Sequence, residues 1–285
     1  MSAKLELQNV SYYYGKGTAF EVKALDNINF KVESGSITGL IGHTGSGKST
    51  LAQLFNGLEK PYEGKVLLDG CDIWDKKYKG ARICFRVGLV MQYPEYQLFE
   101  ETVYNDIAFG PRNMGLDQVQ VDERVQSAIA FVGLSKDILT QSPFDLSGGQ
   151  KRRVAIAGVM AMQPEMLVLD EPAAGLDPAG RAEIFGGIRR YRDTTGATVI
   201  IVSHSMEDMA EYCDDIIVMH RGKVMLSGAK DEIFADRHAL IEAGLDIPQI
   251  ARVMHLLREN GLDVSAAACT KDQALAELLK AFKLK

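Results

Sequence analysis

Eight consecutive residues, Gly42-His43-Thr44-Gly45-Ser46-Gly47-Lys48-Ser49, fit the pattern GxxxxGK[ST], a loop whose chemistry is phosphate binding. Glycines let the backbone curl until successive N–H groups face phosphate oxygens, and a helix that follows adds its positive N-terminal end. Lys48 then reaches the β- and γ-phosphates of a nucleoside triphosphate, and the Ser49 hydroxyl is placed to ligate Mg²⁺. A second group is Met166-Leu167-Val168-Leu169-Asp170-Glu171, an apolar run that ends in two carboxylates. Alone it would read as an ordinary solvated strand end. Beside a phosphate loop, Asp170 holds Mg²⁺ directly or through water, and Glu171 can polarise a water in line with the γ-phosphate. The third is Leu146-Ser147-Gly148-Gly149-Gln150, a Ser-Gly-Gly turn that opens a helical stretch. It makes a second anion-binding helix start, and a single ATP has no need of two.

These groups need elements to hold them. Ile37–Ile41 is a short apolar run that feeds the glycine loop, and Lys48–Gly57 after it has helical character, which is the context the loop requires. Met166–Leu169 and Val199–Val202 are continuous apolar runs, as expected for parallel strands buried on both faces. Leu5–Val10, Ala24–Val32 and Lys65–Leu68 are strand-like, with turns at Gly35, Gly64 and Asp69-Gly70, and predict an antiparallel sheet in the N-terminal part. Between Gln92 and Met162 the spacing turns helical, over Asp122–Phe131 and Gln150–Met162, and predicts a helical subdomain inserted into an α/β core. From about Ile233 the tail is helical. Pro248 opens a segment with Ile250, Val253, Met254 and Leu257 on one face, closed by Gly261. Thr270 stands three residues before Gln273, a capping-box pattern ahead of the stripe Ala274, Leu275, Leu278, Leu279, Phe282.

With the order of these motifs in view, the chain resembles the ABC ATPase family, and Leu146–Gln150 is the specific mark of it. The resemblance implies a P-loop core with a mixed sheet, an antiparallel β subdomain and an inserted helical subdomain. It also implies that Ser147, Gly148, Gly149 and Gln150 of one subunit close over ATP held by the loop of another. Gln92, after the strand-like Val87–Met91, is similar to the family's Q-loop glutamine, a ligand of Mg²⁺ and water that senses the membrane partner. Ala174-Gly175-Leu176-Asp177 resembles the loop that crosses the dimer interface, and His204 the switch histidine that contacts the γ-phosphate. Tyr14 aligns with the aromatic that stacks on adenine, although Tyr12 and Tyr13 are adjacent and alternation would bury Tyr12 and Tyr14 on one face. The implied ATP site is thus Tyr14, the loop Gly42 to Ser49, and Thr50. Catalysis is expected from Lys48, Gln92, Glu171 and His204, and Mg²⁺ from Ser49, Gln92 and Asp170.

Val90-Met91-Gln92-Tyr93-Pro94-Glu95-Tyr96-Gln97-Leu98-Phe99-Glu100-Glu101-Thr102-Val103, then Ala108–Pro111, looks like the second ATPase type of energy-coupling factor (ECF) transporters, which take up vitamins and transition metals; so does the tail with Asp246–Ile250. Met91 stands where that group more often has Phe, an apolar exchange. The resemblance implies pairing with a homologous ATPase subunit, a transmembrane T component seated beside Gln92–Glu101, and exchangeable substrate-binding S components. Residues 1–232 are expected to form the ATPase domain, with the helical subdomain at about 93–162, and 233–285 a helical extension that helps hold two ATPases together. An ATPase of another ABC importer shares the core motifs and differs in the Gln92–Pro111 stretch and the tail.

Composition narrows the remaining classes. The net charge is −6, with acids and bases interspersed, so no basic stripe marks a nucleic-acid surface. A soluble ABC ATPase acting on DNA or ribosomes would carry long coiled-coil arms or two fused ATPase domains, for which 285 residues leave no room. Glu171 and His204 argue against a binding module that hardly hydrolyses. Cys71, Cys84, Cys213 and Cys269 are far apart and read as scattered reduced thiols. No signal peptide pattern opens the chain, and no apolar run approaches the ~18 residues of a membrane span. The expectation is a soluble protein at the cytoplasmic face of the membrane, which it meets through partners.

Overall fold

The computed structural model describes residues 4–75 and 82–282; residues 1–3, 76–81 and 283–285, which include parts of both regions expected above, lie outside the described residues. The elements run β1 (Leu5–Tyr14), β2 (Val22–Val32), β3 (Ile37–Gly42), α1 (Lys48–Phe55), β4 (Glu63–Leu68), β5 (Cys71–Asp72), α2 (Arg82–Arg86) and β6 (Val87–Val90). Then come α3 (Val103–Asn113), α4 (Gln118–Phe131), α5 (Gly148–Ala161), β7 (Met166–Asp170), α6 (Pro178–Thr195), β8 (Thr198–Val202), α7 (Met206–Tyr212), β9 (Asp215–His220) and β10 (Lys223–Ala229). The tail holds α8 (Lys230–Ala235), α9 (Arg237–Glu242), α10 (Gln249–Glu259) and α11 (Lys271–Ala281).

Two sheets form, as the sequence predicts. One is antiparallel in the order β2-β1-β4-β5, and the other has the order β10-β9-β3-β8-β7-β6, parallel except for β10. The continuous apolar runs are explained by burial on both faces. Leu167, Leu169, Val199 and Ile201 join one core with the helical subdomain, while Met166, Val168, Ile200 and Val202 join another with α1 and the antiparallel sheet. Between Gln92 and Met162 the chain is helical or irregular, with α3, α4 and α5 packed together. The capping boxes at Ser147–Gln150 and Thr270–Gln273 are formed with both reciprocal bonds.

Strand order places the chemistry. Along the carboxyl edge of the large sheet, β3, β8, β7 and β6 lie side by side, although they are widely separated in sequence. Their ends deliver the phosphate loop, Ser203-His204, Asp170-Glu171 and Gln92 in that spatial order. This is where open α/β sheets bind ligands, because strand ends and helix starts converge there. Beneath that edge Arg152 of α5, only 3% exposed, makes a two-pronged ion pair with Glu95 at 3.1 Å for each prong, and donates to the Ala174 carbonyl. One guanidinium therefore ties the segment after Gln92 and the turn after Glu171 to the signature helix.

Candidate functional site

The phosphate loop bends where only glycine fits. Gly47 has φ 102°, and a Cβ there would meet Leu25 Cδ2 at 2.7 Å and the Ala24 carbonyl oxygen at 2.9 Å. At Gly45, φ 81°, the space is open, so the backbone presents its amides to the cleft. Inside the curl, the Lys48 ammonium donates to the carbonyls of Gly42 and His43 at 2.6 and 3.1 Å. Burial pulls Lys48 below its ordinary value, while Glu171 and Asp170 nearby pull it back up. The Ser49 hydroxyl donates to Asp170 Oδ2 at 2.9 Å. Burial also pushes the Asp170 carboxyl up, opposed by the bond from Ser49. A half-buried ammonium and a buried carboxylate thus meet at the phosphate loop, each hydrogen-bonded within it.

Glu171 sits in a left-handed backbone conformation, φ 52°, held by its N–H to the Val202 carbonyl at 2.9 Å. For a glutamate this costs about 1–3 kcal/mol and persists only where surroundings impose it. The strain turns the side chain toward β8, where His204 Nδ1 donates to Oε1 at 2.7 Å and the Ser203 hydroxyl donates to Oε2 at 3.4 Å. A carboxylate held by a histidine at a cleft rim is geometry suited to accepting a proton from water.

Tyr12, Tyr13 and Tyr14 separate in the structure. Tyr12 is buried, its hydroxyl donating to Glu59 Oε2 at 2.6 Å, and Tyr13 packs against Tyr62. Tyr14 shares a face with Tyr12, edge to face at 5.0 Å, as alternation predicts. It lies past the core's edge at the strand end, however, and is 43% exposed. Its hydroxyl pairs with Thr50 Oγ1 at 3.0 Å, and of the three tyrosines it alone lines the cleft.

Tyr14, Gly42, His43, Thr44, Gly45, Gly47, Lys48, Ser49, Thr50, Gln92, Asp170, Glu171 and His204 line one cleft of about 1030 Å³. That is at the top of the usual range for small-molecule sites, ~300–1,000 Å³, and suits a ligand as large as a nucleoside triphosphate. Ser46 sits behind the wall, fully buried, its hydroxyl without a hydrogen-bond partner among the described residues. Ser147, Gly148, Gly149, Gln150 and Asp177 line no part of this cleft. Ser147 caps α5, its hydroxyl accepting from Gln150 N at 3.3 Å, and Asp177 caps α6, accepting from Gly180 N at 2.8 Å. Sequence reasoning missed Met206, Arg221, Gly222, Gly244, Leu245 and Asp246, all on the cleft wall. Met206 opens α7 and the others lie in the turns after β9 and α9; in the sequence the Asp246–Ile250 stretch reads as a mark of the group, not as part of the site.

Hydroxyl, carboxylate and amide oxygens from Ser49, Asp170 and Gln92 are a hard donor set that fits Mg²⁺. Among the described residues no group of three His, Cys, Asp or Glu could hold a metal, so nucleotide phosphates and water would have to complete the coordination.

Residues 25–174 match the ABC transporter family model. The chain is 50% identical over 276 residues to an "Energy-coupling factor transporter ATP-binding protein EcfA2" of Caldanaerobacter subterraneus subsp. tengcongensis, covering 97% of this chain and 96% of that one. It is 51% identical over 277 residues to the protein so named in Clostridium acetobutylicum, covering 97% of each. Among solved structures, cbiO1 from Clostridium perfringens, described as part of the ABC transporter complex cbiONQ, superposes with a TM-score of 0.74 at 38% identity, over 88% of this chain and 98% of that one. A dimeric bacterial ABC transporter cassette matches with a TM-score of 0.69 at 26% identity, over 79% and 98%. The P-loop ABC ATPase fold read from the sequence is the fold of these neighbours. The chain belongs to the ABC transporter family, among the energy-coupling factor transporter ATP-binding proteins, and is an ATP-hydrolysing subunit.

Proposed function

We propose that this subunit energises uptake of a micronutrient, a vitamin or metal ion, from the cytoplasmic face of the membrane. It does so as one of two ATPases bound to a transmembrane T component and exchangeable S components. The observation that carries this reading is that one chain holds two phosphate-binding starts that do not share a cleft. The loop at Lys48 and the turn at Ser147 each need a complement, and a second ATPase subunit supplies both. Similarity to a dimeric cassette and to a component of a cbiONQ complex supports the pairing. The relatives share one numbered name, EcfA2, and the number favours pairing with a second, different ATPase.

Within this assembly Tyr14 stacks on adenine, and the backbone amides of Gly42 to Gly47 with Lys48 and Thr50 grip the phosphates, Ser46 contributing its amide alone. Ser49, Asp170 and Gln92 would hold Mg²⁺, which when bound would neutralise phosphate charge. Glu171 accepts the proton of the attacking water, and His204, already bonded to Glu171, holds it in position and faces the γ-phosphate. Lys48 offsets charge as it develops on the transferring phosphoryl. Ser147, Gly148, Gly149, Gln150 and Asp177 act on the partner's nucleotide. Closing and reopening of the pair moves Gln92 and the groove beside it, and so turns hydrolysis into movement of membrane components.

The test is an affinity pull-down of the tagged chain from solubilised membranes, with ATPase assay of the purified complex. A second ATPase, a T-like protein and several small membrane proteins should be recovered. Glu171→Gln should cut turnover by about 10²–10⁴-fold, the usual yield of a general base, while ATP still holds the ATPase pair together. Recovery with one dedicated permease pair would assign the chain to another importer type, and normal turnover in Glu171→Gln would remove Glu171 as base.

A further inference from the structure

The tail reaches the nucleotide cleft. Gly244, Leu245 and Asp246, in the turn after α9, line the same cavity as the phosphate loop. The β9–β10 turn joins the two. Its His220 Nδ1 donates to the Ala243 carbonyl at 3.2 Å, and its ring packs edge to face on His43 of the loop at 5.3 Å. From the same turn, the Gly222 N–H donates to the Ser46 carbonyl at 3.1 Å, and the Gly222 carbonyl accepts from Asp26 N at 2.8 Å. Ala243 is fully buried and Ile247 nearly so, which pins both ends of the segment while Gly244 and Asp246 stay exposed.

We propose that the 243–246 turn is a wall of the ATP site and that His220 is the positioning residue that sets it against the phosphate loop, so that seating of the C-terminal tail tunes nucleotide affinity. This rests on the cleft being the ATP site. With the tail taken to help hold two ATPases together, the segment that leads into it is the segment that borders the triphosphate. Linkage then makes subunit pairing through the tail and ATP binding alter one another by the same factor.

The charge of Asp246 gives the inference a sign. A carboxylate on the wall of a polyphosphate site opposes the ligand, and a cation there attracts it, over a distance that salt screens. ATP binding to the full-length chain is measured by calorimetric titration at low and high ionic strength. His220→Ala should weaken ATP about fivefold or more, and His220→Asn, whose amide N–H replaces Nδ1–H, should restore most of it; fivefold lies within the usual coupling of contacting residues. Asp246→Lys, an exposed substitution that leaves the core intact, should tighten ATP several-fold at low salt and lose the gain at high salt. Turnover of the assembled complex at saturating ATP should change little in each variant, which separates positioning from chemistry. Unchanged affinity in Asp246→Lys, or equal losses in His220→Ala and His220→Asn, would overturn the proposal. Absence of ATP binding by the unmodified chain would overturn the reading of the cleft itself.

Discussion

Asp170 shows what a binding site withholds from stability. Its carboxyl is 8% exposed, bonded to Ser49, and pushed up by burial. A carboxyl whose folded value is raised binds its proton more tightly folded than unfolded, so its ionisation at neutral pH destabilises the fold. Asp170→Asn keeps an acceptor for Ser49 and removes the charge. Without nucleotide, thermal unfolding of the Asn variant should therefore run a few degrees above the parent at neutral pH. The gain should fade as pH drops through the raised value and vanish below the ordinary aspartate range, where both chains are uncharged at this position. ATPase activity should be lost in the same variant. Equal melting curves at neutral pH would show that Asp170 carries no such cost. Tyr14 gives a second prediction at this scale. Being exposed, with Thr50 and the edge of Tyr12 as its partners, it can change with modest effect on folding, and Tyr14→Ala should weaken ATP by the ~1–3 kcal/mol of a base–aromatic stack. Nucleotide titration of the purified chain measures this, and affinity equal to the parent's would move adenine recognition elsewhere.

Helix α5 carries two functions at its first turn, and substitutions can separate them. Ser147 caps the helix in a capping box with Gln150. Ser147→Ala loses that cap, worth about 1 kcal/mol, and the melting temperature should fall by roughly 2–4 °C. Ser147→Asp retains a strong cap yet puts a negative charge where the partner's γ-phosphate is proposed to lie. It should melt at or above the parent temperature while ATPase activity of the assembled complex collapses. Full activity in Ser147→Asp would confine Ser147 to capping. At the element level the sequence was legible wherever pattern and chemistry coincide. Ile37–Ile41 with its glycine loop, Met166–Leu169 with its two carboxylates, and Thr270 with Gln273 all have local causes. Helix α3 is less legible, because a proline ordinarily ends a helix and Pro111 lies inside this one, in its last turn. The short runs of β9 and β10 were likewise not separated from the turns around them.

Across the whole molecule, what sequence could not give is which distant surfaces meet. Strand order alone brings Gln92 beside Asp170, and the cleft wall at Gly244–Asp246 follows from where α8 and α9 pack. The tail's first part is core by any physical measure. Ile233, Phe234, Leu240, Ala243, Ile247 and Ala251 are buried in one cluster with Ile37, Leu169 and Ile201 of the large sheet. Only Met254, Val264, Ala268 and Ala274 form a separate small cluster, between α10 and α11. Helical periodicity shows such residues as one face of a helix but says nothing of what covers it. The two parts should therefore fail differently when removed. Ending the chain at Glu232 strips Phe234 and Leu240 from the main core, at about 2–5 kcal/mol each against a usual total stability of 5–15 kcal/mol, and should yield aggregated protein. Ending it after Gly261 retains α8 to α10, uncovers Met254, and removes α11 with Cys269 and the bonds from Gln273 to Asp231 at 3.1 and 3.3 Å, while Phe234 and Leu240 stay in the main core. That shorter chain should stay folded and bind ATP by titration. By size-exclusion chromatography and pull-down it should recover less of the second ATPase than the full chain does. If it pairs as well as the full chain, α11 has no part in holding the ATPases together, and the contact must come from the nucleotide-bridged faces alone.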